Sequence, residues 1–214
     1  MFTFPEFCQL LTTALQGPLP GEQAHNRLSW FKRLPYKDEL TLQPSYKQSA
    51  VLILLWPQND SWRCLLIRRP DYEGVHSGQM AFPGGRKEEG DVSIMQTAIR
   101  ETWEEIGVQI SENEIVGALS PLYIPVSNFL VYPFVACASS KPVFNPAPEE
   151  VQELVDFDLF ELLDETKVKK KERLMKPGLK AEAPYYDIEG HEVWGATGMM
   201  LSELSDVLRS FISS

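Results

Sequence analysis

Cysteine is scarce in this 214-residue chain: Cys8, Cys64 and Cys137 are the only three. Their wide spacing excludes a paired disulfide framework and a zinc-like cluster, so a reducing compartment is expected. Positive charge is also in short supply, with 20 Lys plus Arg against 30 Asp plus Glu and a formal charge of -10. Such a surface is not built to neutralise nucleic-acid phosphates or anionic lipid, although a local basic patch stays open. No apolar run approaches the roughly 18 residues of a membrane helix. The start Met1-Phe2-Thr3-Phe4-Pro5-Glu6 has no basic stretch ahead of an apolar one. A soluble, cytoplasmic protein with neither nucleic acid nor membrane as partner is expected. What is present, 43% hydrophobic residues, suits the core of one ordinary domain.

Phe4, Phe7, Leu10, Leu11 and Leu15 recur at helical spacing, and Pro18, Pro20 and Gly21 should end that helix. A second helical stretch is read over residues 22 to 34, then a polar segment at 37 to 48. The apolar run Ala50 to Trp56, followed by Trp62 to Arg68, predicts two strands joined by the turn Pro57-Gln58-Asn59-Asp60. Residues 69 to 90 read as loop, punctuated by Pro70, Gly74, Gly78, Pro83, Gly84, Gly85 and Gly90. A helix must follow: Ser93 and Gln96 can form a capping box, Met95, Ala98, Ile99, Thr102 and Ile106 form its apolar stripe, and Gly107 stands at its C-terminal cap. Residues 115 to 139 suggest several short strands interrupted at Pro121, Pro125 and Pro133. Two further amphipathic helices are expected at 148 to 164 and 196 to 212. No repeat or linker divides the chain, which reads as one α/β domain with an N-terminal helical extension over residues 1 to 47.

On the central helix, Glu101, Glu104 and Glu105 lie three and four residues apart and are expected to project into one small volume. Like charges at that spacing repel, more strongly if desolvated. The cluster is either a solvated acidic face, with Arg100 paired to Glu104, or the ligand set of a hard cation. Mg²⁺ commonly takes a few carboxylates together with substrate phosphate and water. The preceding loop, Phe82-Pro83-Gly84-Gly85, favours the second reading, because two residues without side chains let backbone approach a ligand closely.

Gly85, Asp91, Arg100, Glu101, Glu104, Glu105 and Gly107 resemble the Nudix box, Gly-x5-Glu-x7-Arg-Glu-U-x-Glu-Glu-x-Gly-U with U a bulky apolar residue. Arg100 to Val108 departs only at Thr102. In the first half Asp91 stands for the early Glu, with one extra residue before Arg100. Leu65-Leu66, Arg69, Gly78 and Phe82-Pro83-Gly84-Gly85 resemble the coenzyme A pyrophosphatase branch of that family, from which Ile67, Pro70 and Gly74 depart. Glu149 or Glu150 ahead of Val151, and Val193 to Thr197, resemble later stretches of the same branch, so the likeness covers roughly residues 48 to 210 and sets a domain at 48 to 214.

The resemblance implies an α/β/α sandwich with a mixed β-sheet and a Mg²⁺- or Mn²⁺-dependent hydrolase of a nucleoside diphosphate linked to another group. Coenzyme A or acyl coenzyme A, cleaved to 3′,5′-ADP and the 4′-phosphopantetheine portion, is the leading substrate. Another dinucleotide such as ADP-ribose or NADH, or a non-catalytic nucleotide-sensing module, are the competing readings. Glu101 and Glu105 would be the principal metal ligands, Glu104 would share a metal or bind a second, and Arg100 would orient the carboxylates. Gly84 and Gly85 would lie against substrate or metal. The general base would come from the box or from Glu149 or Glu150, which equally suit the N-terminus of a helix. Arg68 and Arg69 are candidate phosphate ligands or surface arginines. His76 reads as a loop-structuring residue. The run Lys167 to Arg173 reads as a solvated loop, or as a site attracting the 3′-phosphate of coenzyme A. Tyr123, Tyr132 and Trp194 are core residues or stacking platforms for adenine. The N-terminal extension could cover a sheet edge, lid the site or support a homodimer.

Overall fold

The computed structural model describes residues 2–41, 45–73, 76–176 and 178–212. Its elements run α1 (Phe4–Gln16), α2 (Glu22–His25), α3 (Tyr36–Thr41), β1 (Lys47–Gln58), β2 (Ser61–Arg68), β3 (Met80–Ala81), β4 (Gly84–Arg86), α4 (Ile94–Ile106), β5 (Ile115–Ala118), β6 (Leu122–Ile124), β7 (Phe129–Cys137), β8 (Glu153–Asp158), β9 (Val168–Lys176), β10 (Leu179–Ile188), β11 (His191–Val193) and α5 (Gly195–Ile212). The apolar run in β1 is continuous because both faces of that strand are covered. Ile53 and Leu55 enter one core with Phe7 and Leu11 of α1 and Leu204 and Leu208 of α5. Leu52, Leu54 and Trp56 enter the other with Ala98 and Ile106 of α4. The expected helix–sheet–helix layering is therefore present.

The main sheet is mixed. β1 runs parallel to β7 and antiparallel to β2 and β4, with β3 and β8 on β2, and β5 and β6 on β7. Pro133 is tolerated inside β7 because its side of the strand falls between the β5 and β6 ladders, where its carbonyl accepts from the Leu119 amide at 2.9 Å. β9, β10 and β11 form a separate antiparallel sheet. Among the described residues no helix is long and apolar enough to cross a membrane.

Residues 4 to 28 share the main core. Phe7 stacks on Trp62 of β2, their ring centroids 3.8 Å apart. The fully buried Glu203 of α5 accepts from the Gly21 amide at 3.0 Å and pairs with His25 Nε2 at 2.9 Å.

Several expected elements change. The helix read over 22 to 34 is only α2 and a 3-10 turn at Asn26–Leu28. Asn26 closes it by donating to the Glu22 carbonyl at 2.7 Å and accepting from the Arg33 amide at 2.7 Å, the local competition that disfavours this residue inside helices. The polar segment at 37 to 48 instead begins with α3. The helix expected at 148 to 164 is β8 followed by a 3-10 helix at Leu159–Leu163. Val155 and Phe157 point inward while Asp156 and Asp158 bond Arg63 and Ser61 of β2, so edge pairing decides in favour of the two-residue period. The Lys167 to Arg173 run is mostly strand β9 rather than loop. The helix at 196 to 212 is present as α5, and Thr197 Oγ1 ties it to the Met80 carbonyl at 2.9 Å.

Candidate active site

The glycine loop is held against the middle of the sheet. Phe82 is fully buried, the Leu52 amide donates to the Pro83 carbonyl at 2.8 Å, and β4 pairs Gly84 with Val51 and Gly85 with Ala50. Each glycine has its own reason. At Gly84 (φ 150°) a Cβ would lie 2.2 Å from the Ala50 carbonyl oxygen, and at Gly85 it would lie 2.4 Å from the Glu101 carboxyl carbon. Gly84 thus lets two strands close, and Gly85 leaves a notch that the Glu101 carboxylate fills.

Opposite stands α4, capped by Ser93, whose Oγ accepts from the Gln96 amide at 3.1 Å, and ended at Gly107 in the left-handed region (φ 69°). Gln96 does not return the bond; its side chain donates to Glu112 instead. The buried face is Thr97, Ala98, Thr102, Glu105 and Ile106, with Met95 and Ile99 only half-buried at its edge. Thr102 fits this face by donating its hydroxyl to the Ala98 carbonyl at 2.7 Å.

Glu105 is therefore a carboxylate on the core side of the helix, 3% exposed, accepting from the Gly84 amide at 2.7 Å. Desolvation pushes its pKa up to about 8, against the opposing influence of that hydrogen bond and of Arg69, and the charges of Glu101 and Glu150 add to the rise. Burial also raises Glu101, although the Arg100 guanidinium lies 3.0 Å away. Glu104 is different. Its side chain is 47% exposed and bonds Arg100 Nη1 at 2.7 Å. The expected convergence of all three carboxylates is thus uneven: desolvation acts on Glu101 and Glu105 together, and Glu104, whose charge still acts on Glu101, turns outward to Arg100. Among the described residues no three His, Cys, Asp or Glu side chains already stand as a group that could hold a metal ion.

Arg100 organises the outer side. Asp91 accepts from its Nε at 2.9 Å and from its Nη2 at 3.1 Å, and the Arg86 carbonyl accepts from Nη2 at 3.1 Å. Asp91 is locked in turn by Thr97 Oγ1 at 2.8 Å and the Glu88 amide at 2.9 Å. Asp91 thus anchors the arginine that reaches Glu101 and Glu104. The Thr97 contact was missed from sequence, where a threonine on the first helical turn carries no signal of its own.

The segment after β7 docks on the end of α4. The Asn145 and Ala147 amides donate to the Ile106 and Glu105 carbonyls, both at 2.9 Å, and the Gln152 amide donates to the Arg68 carbonyl at 2.9 Å. That pins the turn carrying Glu149 and Glu150 beside the glycine loop, and Glu150 is close enough for its charge to act on both Glu101 and Glu105. No helix starts there, so the helix-dipole reading of these residues falls. Arg69 faces Glu105 electrostatically and makes no side-chain hydrogen bond or ion pair among the described residues. Arg68 is instead paired with Asp71 at 3.2 Å. His76 Nδ1 lies 3.1 Å from Gln79 Oε1, as a loop-structuring residue should, and Gly74 lies outside the described residues. Tyr123 is buried and donates to Asn128 Oδ1 at 2.8 Å, Tyr132 is half-buried, and Trp194 lies under the Arg173 guanidinium, 4.5 Å from its ring centroid.

The model of the NUDIX domain matches residues 46–177. An "Uncharacterized Nudix hydrolase NudL" of Yersinia pestis (strain Pestoides F) is 29% identical over 178 residues, covering 81% of this chain and 88% of that protein. The NudL of Yersinia enterocolitica is 39% identical over 99 residues, a match that spans 46% of this chain and only half of that relative. Among solved structures, a MutT/nudix family protein from Enterococcus faecalis superposes with a TM-score of 0.55 at 18% identity, covering 87% of this chain and 73% of the other. The MutT protein from Methanosarcina mazei Go1 gives 0.51 at 19% identity, covering 75% and 93%.

Proposed function

The chain belongs to the Nudix family of hydrolases, enzymes that act on pyrophosphate bonds of nucleoside diphosphate derivatives, and from that premise we propose that it is a Mg²⁺- or Mn²⁺-dependent hydrolase of coenzyme A or acyl coenzyme A, releasing 3′,5′-ADP and the 4′-phosphopantetheine portion. One observation carries the metal-dependent reading. Glu105 is buried with its pKa raised, beside a second half-buried carboxylate, Glu101, seated in the Gly85 notch. Carboxyl oxygens this far from water would be drawn into their charged form by a hard divalent cation, whose preferred donors are carboxylates. The chemistry of the donors suits such an ion: Glu101 and Glu105 would be the inner ligands, and the half-exposed Glu104, not yet grouped with them, would complete the set from the solvent side. Bound there, the cation would polarise the diphosphate and acidify water.

The remaining work falls to the chain. The Gly84 amide orients Glu105, and Arg100, fixed by Asp91, orients Glu101 and Glu104. Arg69, which faces Glu105 but makes no hydrogen bond or ion pair with a described carboxylate, offers a planar pair of donors to a substrate phosphate. Arg68, with its Asp71 partner, has less to give. Glu150, on a pinned turn within the field of the two inner carboxylates, accepts the proton of the attacking water.

The reading is tested by a hydrolysis screen with Mg²⁺ and Mn²⁺ over coenzyme A, acyl coenzyme A, ADP-ribose, NADH and nucleoside triphosphates, with Glu105→Gln as control. Turnover is expected to be highest on the coenzyme A substrates and to be lost in the control. Preferred cleavage of ADP-ribose or NADH would replace the substrate. Undiminished activity in the control would remove the metal assignment, and the absence of any metal-dependent turnover would leave the nucleotide-sensing reading.

A further inference from the structure

The cations of this acidic protein are not distributed evenly in their pairing. The basic run at β9 is neutralised: Lys167 meets Glu161 at 2.9 Å, Lys170 meets Glu182 at 3.3 Å, Lys171 and Arg173 meet Glu192 at 2.8 and 2.6 Å, and Lys169 meets Asp187. Elsewhere, an open groove of about 500 Å³ is lined by Ser45, Tyr46, Lys47, Gln48, Arg86 and Lys87. None of its three cations forms an ion pair with a described carboxylate, and Glu88 and Glu89, next in the chain, do not line it. Strand pairing assembles the cluster: β1 and β4 set Ser49 opposite Arg86, and the Lys87 amide donates to the Gln48 carbonyl at 3.0 Å. In a chain of net charge -10, three cations that line one groove without carboxylate partners point to an anion from outside.

The groove also adjoins the carboxylate site. Arg86 directly follows Gly85, whose position contacts Glu101, and its carbonyl accepts from Arg100 at 3.1 Å. Tyr46, one of the large exposed apolar side chains of the protein, stands in the same groove and offers a ring face to a base.

We propose that Lys47, Arg86 and Lys87 bind a phosphate monoester on the nucleotide half of the ligand, separate from the diphosphate that is cleaved. The inference rests on the proposed nucleotide-hydrolase reading and narrows it to nucleotides that carry an extra phosphate on the ribose. A dianion held by three cations through charge-assisted hydrogen bonds gains most where no protein carboxylate competes, as here and not at β9.

The test compares binding of 3′,5′-ADP and 5′-AMP by calorimetry, without turnover, in the full chain. Wild type is expected to bind 3′,5′-ADP about tenfold more tightly, and that preference should shrink as salt rises. The double variant Lys47→Ala/Arg86→Ala removes two exposed side chains and should abolish the preference, whereas Lys171→Ala on the neutralised strand should retain it. Equal binding of the two nucleotides by wild type overturns the proposal, as does a preference that survives in the double variant. Hydrolysis of diphosphate substrates without any such preference would sink this site and leave the enzyme reading intact. A groove-dependent preference without hydrolysis would do the reverse.

Discussion

Glu104 and Glu105 are adjacent on one helix, yet Glu105 is 3% exposed with its pKa raised to about 8, while the Glu104 side chain is 47% exposed and rests on Arg100. One step along a helix is about 100° around its axis, which here separates the core face from the solvent edge. Neither residue type nor charge distinguishes the pair; the environment does. A desolvated carboxylate gains most from a cation, because water no longer competes for it, and an exposed one already has a partner and solvent.

The largest effect that can break this contrast is at Glu105. Glu105→Gln keeps an oxygen for the Gly84 amide but removes the charge, and should lower metal-dependent kcat/KM on the order of 10³-fold, corresponding to several kcal/mol. Folding should survive, since a carboxyl whose pKa is raised to about 8 is largely protonated near neutral pH and the amide is a close match to that neutral form. If thermal melting collapsed along with activity, the loss would be structural and the contrast with Glu104 uninformative. Next comes Glu150→Gln, expected to cost about 10²-fold in kcat while leaving KM near wild type. A variant with wild-type kcat excludes Glu150 as the base.

Asp91 tests the solvent side of the same network. The Arg100 guanidinium, above all, holds its carboxyl well below the usual carboxylate range. A group whose folded pKa is depressed contributes stability above its unfolded value of about 3.9, and that stability is lost as pH falls toward the folded value. Metal-free wild type should therefore lose thermal stability below about pH 4 more steeply than Asp91→Asn, which lacks this titration. At neutral pH the variant should already be less stable and roughly 10- to 100-fold less active, because Arg100 no longer fixes Glu101. Identical melting curves from pH 3 to 7 would show that the Asp91–Arg100 pair does not support the fold.

Much of this was legible in sequence where a local period and a local signal agreed. α4 has both a helical apolar spacing and its ends, Ser93 and Gly107, so its position was recoverable, as was β1 from its run of apolar residues. The stripe was placed slightly off: Met95 and Ile99 looked central, yet Thr97 and Glu105 take the buried face because each finds a hydrogen-bond partner there. β8 was misread because Val151, Leu154, Val155 and Leu159 satisfy a helical spacing as well, and only pairing with β2 decides between them. The groove of Lys47, Arg86 and Lys87 was not legible at all. Its residues are far apart in sequence and meet through the register of β1 with β4, whereas the conspicuous run at 167 to 173 drew attention to charges that opposing carboxylates cancel.

Glu104 sets the small end of the scale. Half-exposed and already bonded to Arg100, it should, under the proposed metal site, matter through metal affinity more than through chemistry. Glu104→Gln is expected to raise the Mg²⁺ concentration for half-maximal activity a few-fold, in keeping with the modest worth of an exposed ion pair, and to leave saturated kcat within about threefold of wild type. Titrating Mg²⁺ at saturating substrate separates the two. If saturated kcat fell as far as in Glu105→Gln, the exposed carboxylate would be as deeply committed to the reaction as the buried one. Burial would then have failed as the property that ranks them.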